Sequence, residues 1–298
     1  MKKKLILALL GIVLILVIVS LTNINKKAQI ELTQLSSRTQ DGMMGYFIRT
    51  NSGKNIVIDG GIKEEADKLA QYIKSYGNKV DYWFLTHPHE DHVGAFIEIV
   101  ENKDIEIDNI YYTANELEWF EQKNIVRTDE VEKFYKTLGN SKIKSKIKEP
   151  QIGEEILIDN GIKIEILGIK NPEITENAIN NSSMVFKLYV NKKTIMFLGD
   201  TGTESSNKLI KMHTKNKLKS DIVQISHHGN NGATEELYQL IQPEICLWPT
   251  PNWLWDNNSG NGFNTGNWTT VETRTWMEKI GVKTHYVAKD GDITITVK

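Results

Sequence analysis

The chain has almost no cysteine. Cys246 stands alone among 298 residues, which excludes a disulfide framework within one chain. Its apolar setting, Glu244-Ile245-Cys246-Leu247-Trp248, predicts a buried, inert thiol. An excess of charge of either sign is also missing. The formal net charge of −2 gives no overall bias toward nucleic acid or an anionic membrane. There is no low-complexity tract and no internal repeat beyond a loose two-half arrangement. What remains, 40% hydrophobic and 25% charged residues, is the make-up of an ordinary globular protein with one large domain or two small ones.

One long apolar run is present, at the N-terminus. Met1-Lys2-Lys3-Lys4 precedes apolar residues 5–19, which fits a secretory signal or a short signal-anchor. No small-x-small cleavage site follows at Val19-Ser20-Leu21-Thr22-Asn23, and the missing cysteine excludes a lipoprotein anchor. The reading is an uncleaved anchor over 1–22 that holds the protein in the cell membrane with its domain outside the cytoplasm. A cleaved, secreted form is the alternative. Residues 23–29 form a linker, and 30–298 the folded domain.

Ten residues carry the chemistry. The alternating run Val80-Asp81-Tyr82-Trp83-Phe84-Leu85 predicts a buried strand, and Pro88 stops its ladder because it has no N–H to donate. From Gly94 the apolar residues resume at helical spacing. His87, His89, Asp91 and His92 therefore share one short strand-to-helix turn. Imidazole nitrogen and carboxylate oxygen are the ligands that zinc, manganese or iron accept. The pairs His87/His89 and Asp91/His92 suit two neighbouring ions. A histidine-rich surface loop is the alternative, and the spacing at a strand end disfavours it.

His-x-His-x-Asp-His at the end of a strand resembles the signature of the metallo-β-lactamase fold superfamily. The resemblance implies an α/β protein, an αββα four-layer sandwich with metals at one edge, here preceded by one N-terminal apolar helix, and usually a hydrolase. It implies that Asp59, in Asp59-Gly60-Gly61, orients the metal loop without binding metal. Asp200, in Gly199-Asp200, is expected to bridge two cations about 3.5–4 Å apart; its other reading is an N-cap for the following helix. In Ser226-His227-His228-Gly229, adjacent residues of an extended segment point opposite ways, so one imidazole is a ligand. His227 comes first off the strand and is assigned that role. His228 then faces substrate as proton donor or phosphate contact, and the exchanged assignment stays open.

Periodicity and turn chemistry sketch the frame. Strands are expected at 30–35, 45–49, 55–61 and 105–112, a helix over 64–76, and one or two helices within 115–138. A hairpin joins 152–158 to 162–167 through Asp159-Asn160-Gly161. The lysine-rich stretch 140–150 reads as a solvated connection. Many superfamily members carry a further histidine before the Gly-Asp, but no histidine lies between His92 and His213. Asn180-Asn181-Ser182-Ser183 occupies that place, and Asn181 or Ser183 is a candidate contact to metal, substrate or backbone. This corner, with Gly-Asp and Ser-His-His-Gly, resembles the branch of ComEC-related DNA-uptake channels and teichoic acid phosphorylcholine esterases. Trp253, Trp255, Phe263 and Trp268 fall in a Gly/Asn-rich segment. Trp253 and Trp255 are candidates for caging a quaternary ammonium or stacking on bases; packing the loop onto the domain is the alternative.

The expected cofactors are two divalent ions, zinc with manganese as the alternative. They lower the pKa of a water they hold and neutralise charge on phosphate oxygens, with Asp91 also orienting the nucleophile. The expected function is an exported phosphodiesterase acting on phosphocholine-like groups of an envelope polymer or on nucleic acid. A lactonase or β-lactamase-type ester or amide hydrolase is the second reading, disfavoured by the missing histidine. A catalytically silent anchored binding module is the third, disfavoured by the intact set His87, His89, Asp91, His92 and Asp200. No protein partner is inferred; the N-terminal helix makes the membrane a partner.

Overall fold

In the strand that feeds the histidine loop, Tyr82 and Phe84 face one hydrophobic cluster while Trp83 and Leu85 face another. That alternation, repeated strand by strand, builds the architecture seen in a computed structural model, which describes residues 27–113, 115–123 and 128–298. The predicted N-terminal apolar helix lies outside the described residues. Among those described, no helix is long and apolar enough to cross a membrane.

The first half supplies β1 (Ile30–Gln34), β2 (Gly45–Thr50), β3 (Asn55–Asp59), β4 (Lys79–Val80), β5 (Tyr82–Leu85), β6 (Glu106–Ile107), β7 (Ile110–Tyr112) and β8 (Ile147–Lys148). The second supplies β9 (Glu155–Asp159), β10 (Ile162–Gly168), β11 (Val185–Val190), β12 (Lys193–Phe197), β13 (Ile222–Gln224), β14 (Ile245–Trp248), β15 (Thr284–Val287) and β16 (Ile293–Val297). One sheet runs β16-β1-β2-β3-β5-β7-β8 and the other β15-β14-β13-β12-β11-β10-β9, with β4-β6 a small extra pair. The predicted hairpin is present: β9 and β10 pair antiparallel across a turn in which Gly161 takes φ 75°.

The inner faces meet in one core. Ile48, Ile56, Ile58 and Phe84 of the first sheet pack with Ile164, Phe186, Leu188 and Phe197 of the second. On the outer face of the first sheet, Val57, Trp83 and Leu85 cover Leu69 and Ile73 of helix Ala66–Ser75 and Phe96 and Ile99 of helix Glu90–Asn102. On the far side, Met196, Val223 and Trp248 pack on Leu209, Leu237 and Met277 from three further helices. The result is an αββα sandwich. Each large side chain buried this way contributes roughly 1.5–3 kcal/mol relative to exposure.

Strand direction places the site. β3, β5, β7 and β8 run parallel to one another, as do β12, β13, β14 and β15. Open sheets bind ligands beyond the carboxyl ends of parallel strands. Asp59 is the last residue of one such strand, and His87, Asp200, His228 and Pro249 follow the ends of others.

Candidate metal centre

Asp59 closes β3 in a left-handed conformation, φ 53°, and its buried carboxylate ties the histidine loop down. Oδ1 accepts from the Thr86 N–H at 2.7 Å, and Oδ2 accepts from Thr86 Oγ1 and from His92 Nδ1, each at 2.7 Å. Helix Glu90–Asn102 starts directly after His89, so His92 sits on its first turn. With Nδ1 committed to Asp59, His92 presents Nε2, which stands 3.2 Å from Asp200 Oδ1. Both atoms are buried without a hydrogen-bond partner.

Asp200 is delivered by a turn that needs glycine. Gly199 has φ 55°, and a Cβ there would lie 2.9 Å from Ser183 Oγ and 3.0 Å from Thr86 Cβ. Gln224 Oε1 accepts from the N–H groups of Leu198 and Gly199, and Ser183 Oγ from that of Asp200. Two sets of donors converge on the carboxylate: Asp91, His92, Asp200 and His228 in one, His87, His89 and Asp200 in the other, each within 4.8 Å. Asp200 belongs to both.

His227 and His228 exchange places relative to the expectation. That expectation used the alternation of an extended strand, but β13 ends at Gln224 and both histidines adopt left-handed backbone, φ 52° and 54°. His228 Nδ1 donates to the Pro249 carbonyl at 2.7 Å, turning Nε2 to 3.0 Å from Asp91 Oδ2 and 3.7 Å from Asp200 Oδ2. His227 joins neither set; its Nε2 is 3.2 Å from Asn180 Nδ2.

The electrostatics mark a site short of positive charge. Burial disfavours charge on Asp200, yet His92, His228 and His227 hold its carboxyl well below the usual range. Asp91 is likewise lowered against burial by His92 and His228. Burial also opposes protonation of His92, but Asp200, Asp59 and Asp91 push its pKa well above the ordinary imidazole value. His228 is raised by Asp200 and Asp91 in the same way. Burial, then the nearby His92, pushes His87 well down. Buried carboxylates and imidazoles facing each other at 3–4 Å, two of their atoms unpaired, are a donor set that divalent cations fit, displacing protons as they bind.

The other four predicted residues fall in four places. Asn181 is fully buried and structural. Its Oδ1 accepts from the N–H of Gly202 and Ser205 and from Ser205 Oγ, tying down the start of helix Thr203–Met212. Ser183 supports the site from behind, accepting from the Asp200 N–H and lying 3.3 Å from His87 Nδ1. Trp253 lines an open cavity of about 370 Å³ over the metal residues, together with Asp41, Glu90, Asp91, His227 and His228. Trp255 does not line it. The short helix Asn252–Trp255 turns that ring inward, 5.2 Å from Trp248 and 4.7 Å beneath the Arg274 guanidinium.

Two charged cavity residues, Asp41 and Glu90, have no forerunner in the sequence reading. Glu90 sits within the motif itself, between His89 and Asp91, and could have been taken from it. Asp41 arrives on the loop between β1 and β2, which carries no signal.

Beyond geometry, the profile of the metallo-β-lactamase superfamily matches residues 44–242. The chain belongs to the metallo-β-lactamase superfamily. It carries that hydrolase fold and the superfamily's potential metal-binding groups. It is also 23% identical to ComE operon protein 3 of Bacillus subtilis (strain 168) over 181 residues, 60% of this chain and 21% of that protein. The chain thus spans about a fifth of that relative's length. Among solved structures, the metallo-β-lactamase fold protein YhfI from Bacillus subtilis superposes with a TM-score of 0.54 at 13% identity, covering 91% of this chain and all of the other. A variant of the CmlA β-hydroxylase gives 0.52 at 10% identity, covering 92% of this chain and 54% of that one. At these identities the superpositions speak for the superfamily fold alone.

Proposed function

We propose that this superfamily member is an exported, metal-dependent phosphodiesterase whose substrate carries a cationic, phosphocholine-like group beside the scissile phosphate. The observation that carries this reading is the cavity wall. Over the metal residues stand the Trp253 ring and the Asp41 and Glu90 carboxylates, and no Lys or Arg is among the described residues that line it. Such a wall repels a polyanion and attracts a cation. The sequence reading left nucleic acid and phosphocholine-like groups side by side; this wall favours the second.

The Trp253 ring is held for the task. Its Nε1 donates to the Gln40 carbonyl at 3.0 Å, and Trp268 packs edge-on with centroids 5.1 Å apart. A quaternary ammonium over an indole face gains about 0.5–2 kcal/mol. His87, His89 and Asp200 would hold one cation; Asp91, His92, Asp200 and His228 would hold the other. Bound there, two divalent cations such as zinc or manganese supply Lewis acidity and a water of lowered pKa.

The chain's own groups do the positioning. Asp91, partly open to the cavity, accepts a proton from the attacking water, and the His227 ring lines the cavity wall beside it. Asp59 and the Pro249 carbonyl keep His92 and His228 in the tautomers that aim Nε2 inward. The lysine-led apolar run at residues 1–22 supports a membrane tether with the domain outside the cytoplasm.

The test is the ratio of kcat/KM for p-nitrophenyl phosphorylcholine to that for bis-p-nitrophenyl phosphate, with the zinc- or manganese-loaded protein. A strong preference for the choline ester is expected. Equal or reversed rates contradict the substrate assignment, and no turnover of either contradicts phosphodiester hydrolysis.

A further inference from the structure

We infer that Asn180 holds the His227 imidazole out of the position formed by His87, His89 and Asp200, leaving that position one imidazole short. The inference rests on the metal-centre reading above.

Distances show how narrowly His227 misses being a ligand. Its Nε2 lies 3.9 Å from Asp200 Oδ2, and His87 Nε2, which does belong to a donor set, lies 3.8 Å from the same oxygen. Two ligands bonded to one cation at about 2.1 Å stand roughly 3–3.6 Å apart. His227 thus stands as near Asp200 as His87 does, but not within 4.8 Å of every donor in that set.

One contact holds the His227 ring there. Asn180 is 3% exposed. Its Nδ2 lies 3.0 Å from Asn177 Oδ1 and 3.2 Å from His227 Nε2. Asn177 Oδ1 fixes the amide with its NH₂ toward the imidazole, so Nδ2 donates to Nε2 and occupies the lone pair a metal would take. The His227 proton is thereby placed on Nδ1.

This contact is retained at a local cost. His227 Nδ1 and Asn180 Oδ1 are both buried without a partner. Asn177 and His227 both sit in left-handed backbone, φ 42° and 52°. Unpaired buried atoms and strained backbone gathered at one contact mark a position kept for function. The consequence is asymmetry. One metal position has four protein donors and the other three, and His227 lines the cavity beside the weaker one.

The experiment is a calorimetric zinc titration of the chelator-stripped full chain, with stoichiometry checked by elemental analysis. Wild type should show one tight and one weak site. Asn180→Leu keeps the volume but cannot donate, and it should tighten the weak site at least tenfold, the size of effect seen when a metal-site support changes. Adding His227→Ala should remove that gain. The ¹⁵N resonance of His227 Nε2 should respond to zinc in Asn180→Leu but not in wild type. Unchanged weak-site affinity and an unmoved resonance overturn the inference; Asn180→Ala repeats the test should the leucine disturb folding. No zinc binding by wild type would instead overturn the metal-centre reading itself.

Discussion

Replacing Asp59 by asparagine should disable one metal position and spare the other. The Asp59 carboxylate accepts three hydrogen bonds of 2.7 Å, two from Thr86 and one from His92 Nδ1. Asparagine keeps one oxygen, which can still serve the Thr86 N–H. Its NH₂ then opposes His92 Nδ1, and the imidazole must move its proton to Nε2 to accept from it. Nε2 is the atom 3.2 Å from Asp200 Oδ1, and once protonated it has no lone pair for a cation. A hydrogen bond to a charged group is worth about 1.5–3 kcal/mol, so zinc should bind the four-donor position roughly ten- to a hundredfold more weakly. The three-donor position should change little. Burial already pushes the Asp59 carboxyl up, so the metal-free variant should unfold at or slightly above the wild-type temperature. Calorimetric zinc titration with thermal unfolding of the stripped protein reads both effects. Unchanged affinity, or equal weakening of both positions, refutes the reasoning.

Gly199→Ala should destabilise by about 2–4 kcal/mol in denaturant unfolding, from left-handed strain plus contacts with Ser183 and Thr86 that must give way. Trp253→Ala should raise KM for p-nitrophenyl phosphorylcholine about three- to thirtyfold, with a smaller change on bis-p-nitrophenyl phosphate. Lys187 is buried, donates to the Lys217 and Lys219 carbonyls, and has its pKa lowered by burial from 10.5 to about 8. Between those values the unfolded chain binds the extra proton. Wild-type stability relative to Lys187→Met should therefore rise from pH 7 to pH 10, by at most about 3 kcal/mol; a flat or falling difference contradicts the burial.

The frame was legible because alternation is a local signal. Phe84 and Trp83 read as opposite faces of one strand, and each has the sandwich layer that its face requires. The histidine loop was legible for the same reason: its four candidate ligands lie within six residues, and the fold has only to deliver Asp200 and one late histidine. The choice between His227 and His228 was not legible, because two consecutive left-handed residues leave no alternation to read. Trp253 and Trp255 look equivalent in sequence, yet a four-residue helix turns one ring to the cavity and the other onto Trp248 and Arg274. Asp41 and the pairing of Asn180 with His227 depend on chain segments brought together only by the finished fold. Such contacts leave no periodic trace.

In the proposed centre two cations would share Asp200, with His228 completing one of them. Anomalous diffraction from crystals grown with zinc or manganese tests it most directly. Two peaks about 3.5–4 Å apart are expected on either side of the Asp200 carboxylate, one beside His87 and His89 and the other beside Asp91, His92 and His228. A single peak that Asp200 does not touch, or a wild-type ion bound by His227 in place of His228, contradicts the account.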